Sequence, residues 1–251
     1  MKCYSLVCII SLLFSPFSLQ AKSITVAIEP LGYPPYYFNE KGNIKGAAVE
    51  ILEHLAKQLN HTIHYEQYPW SRMQYYLQKG KIDMLLVYLK TPERAYYTAF
   101  PSTPIFYETY YFYALADAPT SFNGDLHSIT GLNVGEVRGY SYGKEYDDFT
   151  LINRFQVGSE GQLIRMLLKK RVDLIIADQA VIDDHLKQLN IEDKIQKLPP
   201  RVAKAPAYFA FSARVPGNEA LAKTYSRALD AFITTKQYQD ILMKYQIEGS
   251  E

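Results

Sequence analysis

Apolar residues in this chain come in two alternating arrangements, short runs and positions spaced three and four apart. Ile24 to Ile28 is a run that predicts a buried strand. After a loop rich in Pro, Tyr and Gly, the stretch Ala47 to Leu59 sets Val49, Leu52, Leu55, Ala56 and Leu59 on one face of a helix. Ile63 to Tyr68 predicts a second strand, Trp70 to Gln78 a second helix halted by Gly80, and Ile82 to Tyr88 a third, largely apolar strand. Strands that alternate with helices imply a parallel sheet with helices against its faces.

The same order returns downstream. Asn133 to Val137 predicts a strand, Gln162 to Lys169 a helix and Val172 to Ala177 an apolar strand, with Ser159 and Gln162 at capping-box spacing where the helix opens. Leu77 to Val87 is similar to Leu167 to Ala177 over eleven positions, each with a helix end, a basic turn, an aspartate (Asp83, Asp173) and an apolar strand. Two similar α/β lobes account for this, and convergence on a common α/β pattern is the competing explanation. Beyond Pro199-Pro200, Ala207 to Ala213 predicts an aromatic strand. Two amphipathic helices follow, Asn218 to Ile233 with Leu221, Tyr225, Leu229 and Phe232 on one face, and Gln237 to Tyr245 with Tyr238, Ile241, Leu242 and Tyr245. If these helices return to cover the first lobe, the chain crosses between lobes twice, and two crossings make a hinge.

The first 21 residues bear on the compartment. Lys2 precedes an uncharged, largely apolar run from Cys3 to Leu19 that ends at Gln20 and Ala21, the layout of a secretory signal peptide cleaved near Lys22. The run is shorter than the roughly 20 apolar residues that span a bilayer. Cys8 lies inside it and follows Val7 rather than a small residue, which argues against a lipidated anchor. The two cysteines, Cys3 and Cys8, both fall in this segment, so the mature part has no thiol for a disulfide, a metal or a nucleophile. Its 230 residues suit one large domain or two modest ones. Within it 26 basic residues balance 26 acidic ones, so no overall field favours nucleic acid or an anionic membrane, and the expected partner is small. The 22 tyrosines cluster, as in Tyr33, Tyr36 and Tyr37, and a ring with a polar tip suits a wet, selective pocket as well as a core edge.

Several motifs, in order and spacing, carry a resemblance. They are Gly32-Tyr33-Pro34-Pro35-Tyr36-Tyr37-Phe38, Gly42-Asn43-Ile44-Lys45-Gly46, Gly80-Lys81-Ile82-Asp83, Thr91-Pro92-Glu93-Arg94, Phe100-Pro101-Ser102-Thr103-Pro104, the Gly139 turn, and Val172-Asp173 followed by Asp178. The chain resembles the family 3 extracellular solute-binding proteins, the type that serves polar amino acid ABC transporters, over nearly its whole mature length. The resemblance implies an α/β, two-lobed type II periplasmic-binding-protein fold, with residues 22–106 and 206–251 in lobe 1, residues 107–205 in lobe 2, and a ligand cleft between them. The expectation that follows is a periplasmic monomer with no cofactor or metal and no catalysis, whose partners are a small-molecule ligand and an inner-membrane ABC permease.

Ligands of open α/β sheets sit beyond the carboxyl ends of strands, which assigns the loops after Ile28, Tyr88, Val137 and Ala177 to the cleft. In Thr91-Pro92-Glu93-Arg94, Thr91 can cap a helix and Pro92 fits its first turn, which holds the Arg94 guanidinium where it can grip a carboxylate. The resemblance gives Arg94 to the α-carboxylate of an amino acid, Asp178 to its α-ammonium group, Ser141 to the carboxylate site, and Trp70 and Tyr33 to the two sides of the ligand's side chain. Tyr36, Tyr88, Thr91 and Tyr140, within or beside these motifs, complete the candidate lining. Each has an ordinary structural alternative: a surface arginine balancing Glu93, an N-cap for Asp178, a tight turn at Ser141, core packing for Trp70. Val87-Tyr88-Leu89 stands where amino acid binders of the family commonly present serine hydroxyls, so an anionic solute with an aromatic or apolar portion fits as well as an L-α-amino acid.

Other functions share these residues. Gly139-Tyr140-Ser141-Tyr142-Gly143 follows a strand and satisfies G-x-S-x-G, so a serine hydrolase using Asp173 or Asp178 with His185 is a second reading, although those partners lie too close in sequence for separate strands. A prephenate-type dehydratase on the same fold, with Asp178 or Glu136 as general acid, is a third, and no two carboxylates stand paired in the sequence to force one pKa upward. A ligand-sensing module would need the same closing cleft. His54, His61, His64, His127 and His185 are scattered, which leaves metal catalysis unsupported.

Overall fold

The computed structural model describes Lys22 to Ile247, so the expected signal peptide lies outside the described residues. The chain runs through β1 (Lys22–Ile28), β2 (Phe38–Glu40), β3 (Asn43–Lys45), α1 (Ala47–Gln58), β4 (His61–Gln67), α2 (Trp70–Gln78), β5 (Met84–Leu89), α3 (Pro92–Ala95), β6 (Thr98–Ala99) and β7 (Phe106–Leu115). It continues through β8 (Asn133–Val137), α4 (Lys144–Asp148), β9 (Asn153–Val157), α5 (Glu160–Leu168), β10 (Leu174–Asp178), α6 (Gln179–Leu189), β11 (Ile195–Ser212), α7 (Asn218–Phe232) and α8 (Lys236–Tyr245).

Two copies of one unit emerge. β1 lies between β4 and β5, parallel to both, and β8 lies between β9 and β10, parallel to both. The similar segments around Asp83 and Asp173 therefore occupy the same place in each unit, where the second helix turns into the third strand. Each aspartate also does the same work. Its N–H donates to the first strand, to Thr25 O at 3.0 Å or Asn133 O at 2.8 Å. Its carboxylate accepts the N–H of that same residue, at 2.9 Å from Thr25 and 2.8 Å from Asn133. A strand's edge N–H needs a partner, and this clasp provides it. Asp173 is thereby a structural residue rather than a hydrolase acid.

β7 and β11 join the units. They pair antiparallel with each other, while β11 also pairs with β5 and β7 with β10, so hydrogen bonding runs unbroken from one unit into the other. The strand expected at Ala207 to Ala213 is thus the end of an 18-residue strand. Pro199 and Pro200 lie inside it, where pairing with β7 shifts between Leu198 and Ala203, because proline has no N–H to give a ladder. α5 begins at Glu160, two residues earlier than expected, and the capping box does not form: Gln162 Oε1 accepts the Gly158 N–H at 2.9 Å and Ser159 makes no side-chain cap bond.

α7 and α8 lie against the first unit. Tyr225, Leu229 and Tyr238 are fully buried there, and each such side chain removed from water contributes roughly 1.5–3 kcal/mol. Tyr238 OH donates to Ile105 O at 2.7 Å, Tyr245 OH to Glu50 at 2.6 Å, and Asn218 Nδ2 to Asp83 O at 3.2 Å.

The loop after β1 is held by glycine geometry. At Gly46, φ is +125°, and a Cβ would meet Tyr36 O at 2.3 Å. Gly42, at φ +89°, has open space where its Cβ would stand. Gly46→Ala is therefore expected to cost about 2 kcal/mol or more and Gly42→Ala about 1 kcal/mol, measured by denaturant unfolding. Equal costs would show that the contact with Tyr36 does not matter.

Candidate functional site

The carboxyl ends of the strands in both units meet at their junction. From the loop after β1, three buried tyrosines each reach a different carboxylate: Tyr33 OH donates to Glu108 at 2.8 Å, Tyr36 OH to Asp178 at 2.9 Å, and Tyr37 OH to Glu29 at 3.0 Å. Tyr36 also stacks on Phe106, ring centroids 4.6 Å apart. Burial holds the Tyr33 and Tyr37 hydroxyls well above their ordinary pKa, so they stay protonated donors.

Arg94 comes from the short helix α3, whose start is fixed as expected: Thr91 Oγ1 accepts the Arg94 N–H at 3.2 Å and Pro92 opens the turn. Arg94 is only 6% exposed, so it is not a surface charge balancing Glu93. Nη1 donates to Leu89 O at 2.8 Å, Nη2 crosses to Gly139 O of the other unit at 2.9 Å, and the group lies 4.0 Å above the Tyr88 ring. A desolvated cation needs such acceptors and a π face. Trp70 Nε1 and Gln74 Nε2 also donate to Gly139 O, at 3.2 and 3.0 Å. Tyr140 packs edge to face with Trp70 at 5.1 Å and with Tyr33 at 5.9 Å.

Tyr33, Trp70, Tyr88, Arg94, Tyr140 and Ser141 are brought together around one cavity of about 20 Å³, room for about one water molecule. Tyr36 and Asp178 stand instead on a neighbouring groove of about 530 Å³, with Asp183, Asp184 and His185. Asp178 is an N-cap, accepting the Val181 N–H at 3.2 Å, and also accepts the Thr109 N–H at 2.9 Å. Thr91 borders neither space, and its oxygen is engaged in the cap. Ser141 turns its hydroxyl to Asp147 of its own unit, and among the described residues no histidine partners it, so the hydrolase trio is not assembled. Glu136 is buried with Arg154, Tyr146 and Gln156, which removes it as a cleft acid.

Carboxylates missed in the sequence change the electrostatics. Glu108, on β7, is 2% exposed, accepts Tyr33 and Tyr110 hydroxyls at 2.8 Å each, and lines the cavity beside Arg94. Burial, with the charge of Asp178 adding to it, pushes Glu108 up to about 8. Burial pushes Asp178 up to about 6 against the hydrogen bonds it accepts. The sequence offered no such carboxylate pair, and the fold makes one. Glu29, after β1, is pushed up to about 8 by burial and by Glu160 at the start of α5, itself raised by burial. The signal for Glu108 was its being the lone charge between Ile105 and Leu115.

A raised carboxyl pKa means that the folded chain holds a proton the unfolded chain releases. The stability these groups contribute is whole below the ordinary value of 4.5 and is lost as pH climbs through about 8. Glu108→Gln should therefore melt at a temperature that falls less than wild type between pH 5 and 8.5. Taking the difference between the two proteins cancels His61 and His185, which burial shifts downward. Parallel curves would mean that Glu108 does not gain its proton on folding.

Comparison with known proteins places this geometry. The "Probable histidine-binding protein" of Neisseria gonorrhoeae is 24% identical over 210 residues, covering 82% of this chain and 76% of that one. Among solved structures, a histidine kinase sensor domain with similarity to periplasmic binding proteins superposes with a TM-score of 0.78 at 20% identity, covering 92% of this chain and 99% of that one. An ancestral arginine-binding protein bound to arginine superposes with a TM-score of 0.75 at 21% identity, covering 89% and 97%. At these identities the structures establish a common two-lobed fold. The family model for bacterial extracellular solute-binding proteins, family 3, matches residues 24–248, and the chain belongs to that family.

Proposed function

We propose that this protein captures a small, polar, carboxylate-bearing solute, an amino acid or a related acid, between residues 22–106 with 206–251 and residues 107–205, and delivers it in the periplasm to an inner-membrane ABC permease. The observation that carries this is the buried Arg94 guanidinium at the junction of the units, with Nη2 directed at an oxygen of the facing unit. A solute carboxylate is the natural acceptor for that fork. Asp178 supplies an anionic acceptor for an ammonium group, and Glu108 becomes a second by giving up its proton when that cation pairs with it, the role that Val87 and Leu89 leave unfilled. Glu29 and Glu160 favour a solute with a second cationic group, in keeping with the histidine and arginine named for two of the similar proteins. Solute drives closure by binding the closed arrangement better than the open one.

Thermal-shift screening of amino acids, small peptides and organic acids is expected to show stabilisation by basic amino acids first. Arg94→Ala should then lose about 2–5 kcal/mol of binding free energy by calorimetry, because a desolvated carboxylate would lose its partner. Unchanged affinity would remove Arg94 from the site.

A second reading has one observation behind it. A carboxyl kept protonated near neutral pH beside a second carboxylate, as Glu108 is beside Asp178, suits a general acid. Turnover of a prephenate-type acid that disappears in Glu108→Gln would favour a dehydratase; absence of product in the wild type would rule it out.

A further inference from the structure

Three N–H donors from one unit converge on a single carbonyl oxygen of the other. Trp70 and Gln74 stand one turn apart on α2 and Arg94 comes from α3, and all three point at Gly139 O within 2.9 to 3.2 Å. A peptide oxygen has two lone pairs, so three donors, one of them a guanidinium, suit an anionic oxygen better than a neutral one. Glycine is what allows the approach: φ at Gly139 is +77°, and a Cβ there would stand 2.9 Å from Gln74 Nε2.

The next residue fills what remains. The Tyr140 ring enters between Trp70 and Tyr33, edge to face with both. The turn thus sets an oxygen on the donors and a ring between aromatic side chains. The cavity left over, about 20 Å³, cannot admit an amino acid.

We infer that Gly139 O is the resident occupant of an oxygen-binding subsite built by Arg94, Trp70 and Gln74, and that this turn holds the lobes shut in competition with a solute oxygen. The competition rests on the cleft being the solute site proposed above; the latch does not. Gln74 becomes a binding residue absent from the sequence-based set, and capture becomes an exchange of one oxygen for another. The apparent affinity for solute is lowered by the fraction of molecules in which the turn already fills the subsite.

Small-angle X-ray scattering of the protein without added solute tests the latch. Wild type should be compact, Tyr140→Ala and Gln74→Leu should show larger radii of gyration, and Tyr75→Ala, an exposed site on the same helix, should match wild type. A wild type as extended as the variants, or variants as compact as wild type, overturns the latch. Should Tyr140→Ala fail to fold, as judged by loss of a cooperative melt, Tyr140→Leu, which also removes the ring held between Trp70 and Tyr33, replaces it. Acetate alone then probes the subsite. It should raise the melting temperature of Tyr140→Ala more than that of wild type, and an equal or absent response in both overturns the competition. Neither measurement uses the solute, so failure here leaves the calorimetric result on Arg94 standing, and the reverse.

Discussion

A guanidinium shut away from water between two α/β units must be satisfied by whatever acceptors those units bring. Arg94 takes one oxygen from its own unit, at Leu89, and one from the other, at Gly139, with the Tyr88 ring beneath it. Every one of these depends on a strand end being in place, β5 for Leu89 and Tyr88 and β8 for the Gly139 turn. Burying a charge without partners costs far more than a typical fold has to spare. The separation of the two units is therefore coupled to the solvation of a single side chain.

The acids around it follow a consistent chemistry. Glu29, Glu108 and Asp178 each accept a phenol rather than pairing with a cation, and burial raises all three. Tyrosine serves here because its hydroxyl donates without adding charge and its ring fills the space between lobes. The richness in tyrosine that looked ambiguous in the composition thus has a local meaning: proton donors for buried acids.

Much of the fold was legible because its rules are local. Strands β1, β5 and β10 are apolar runs, α1, α7 and α8 show one-sided periodicity, and the Asp83 and Asp173 segments repeat a clasp that backbone chemistry demands in each unit, whereas β9, Asn153 to Val157, is polar and half-exposed and gave no such signal. β7 was not legible, since the run from Phe106 to Leu115 is buried on both sides and contains a glutamate, so it offers no alternation. The length of β11 was hidden by Pro199-Pro200, which reads as a boundary. In the site, Arg94, Trp70, Tyr33, Tyr88, Tyr140 and Ser141 gather around one cavity, while Glu29 and Glu160 meet only through tertiary structure. Gln74 was within reach, because it sits one helical turn beyond Trp70 on the same face.

Trp70 is the chain's sole tryptophan, and its indole N–H rests on the turn that bridges the units. An indole's emission colour depends on whether its surroundings are dry or wet. Any parting of the units would move this one fluorophore from a dry aromatic niche toward solvent, so the molecule carries a native optical gauge of its own opening.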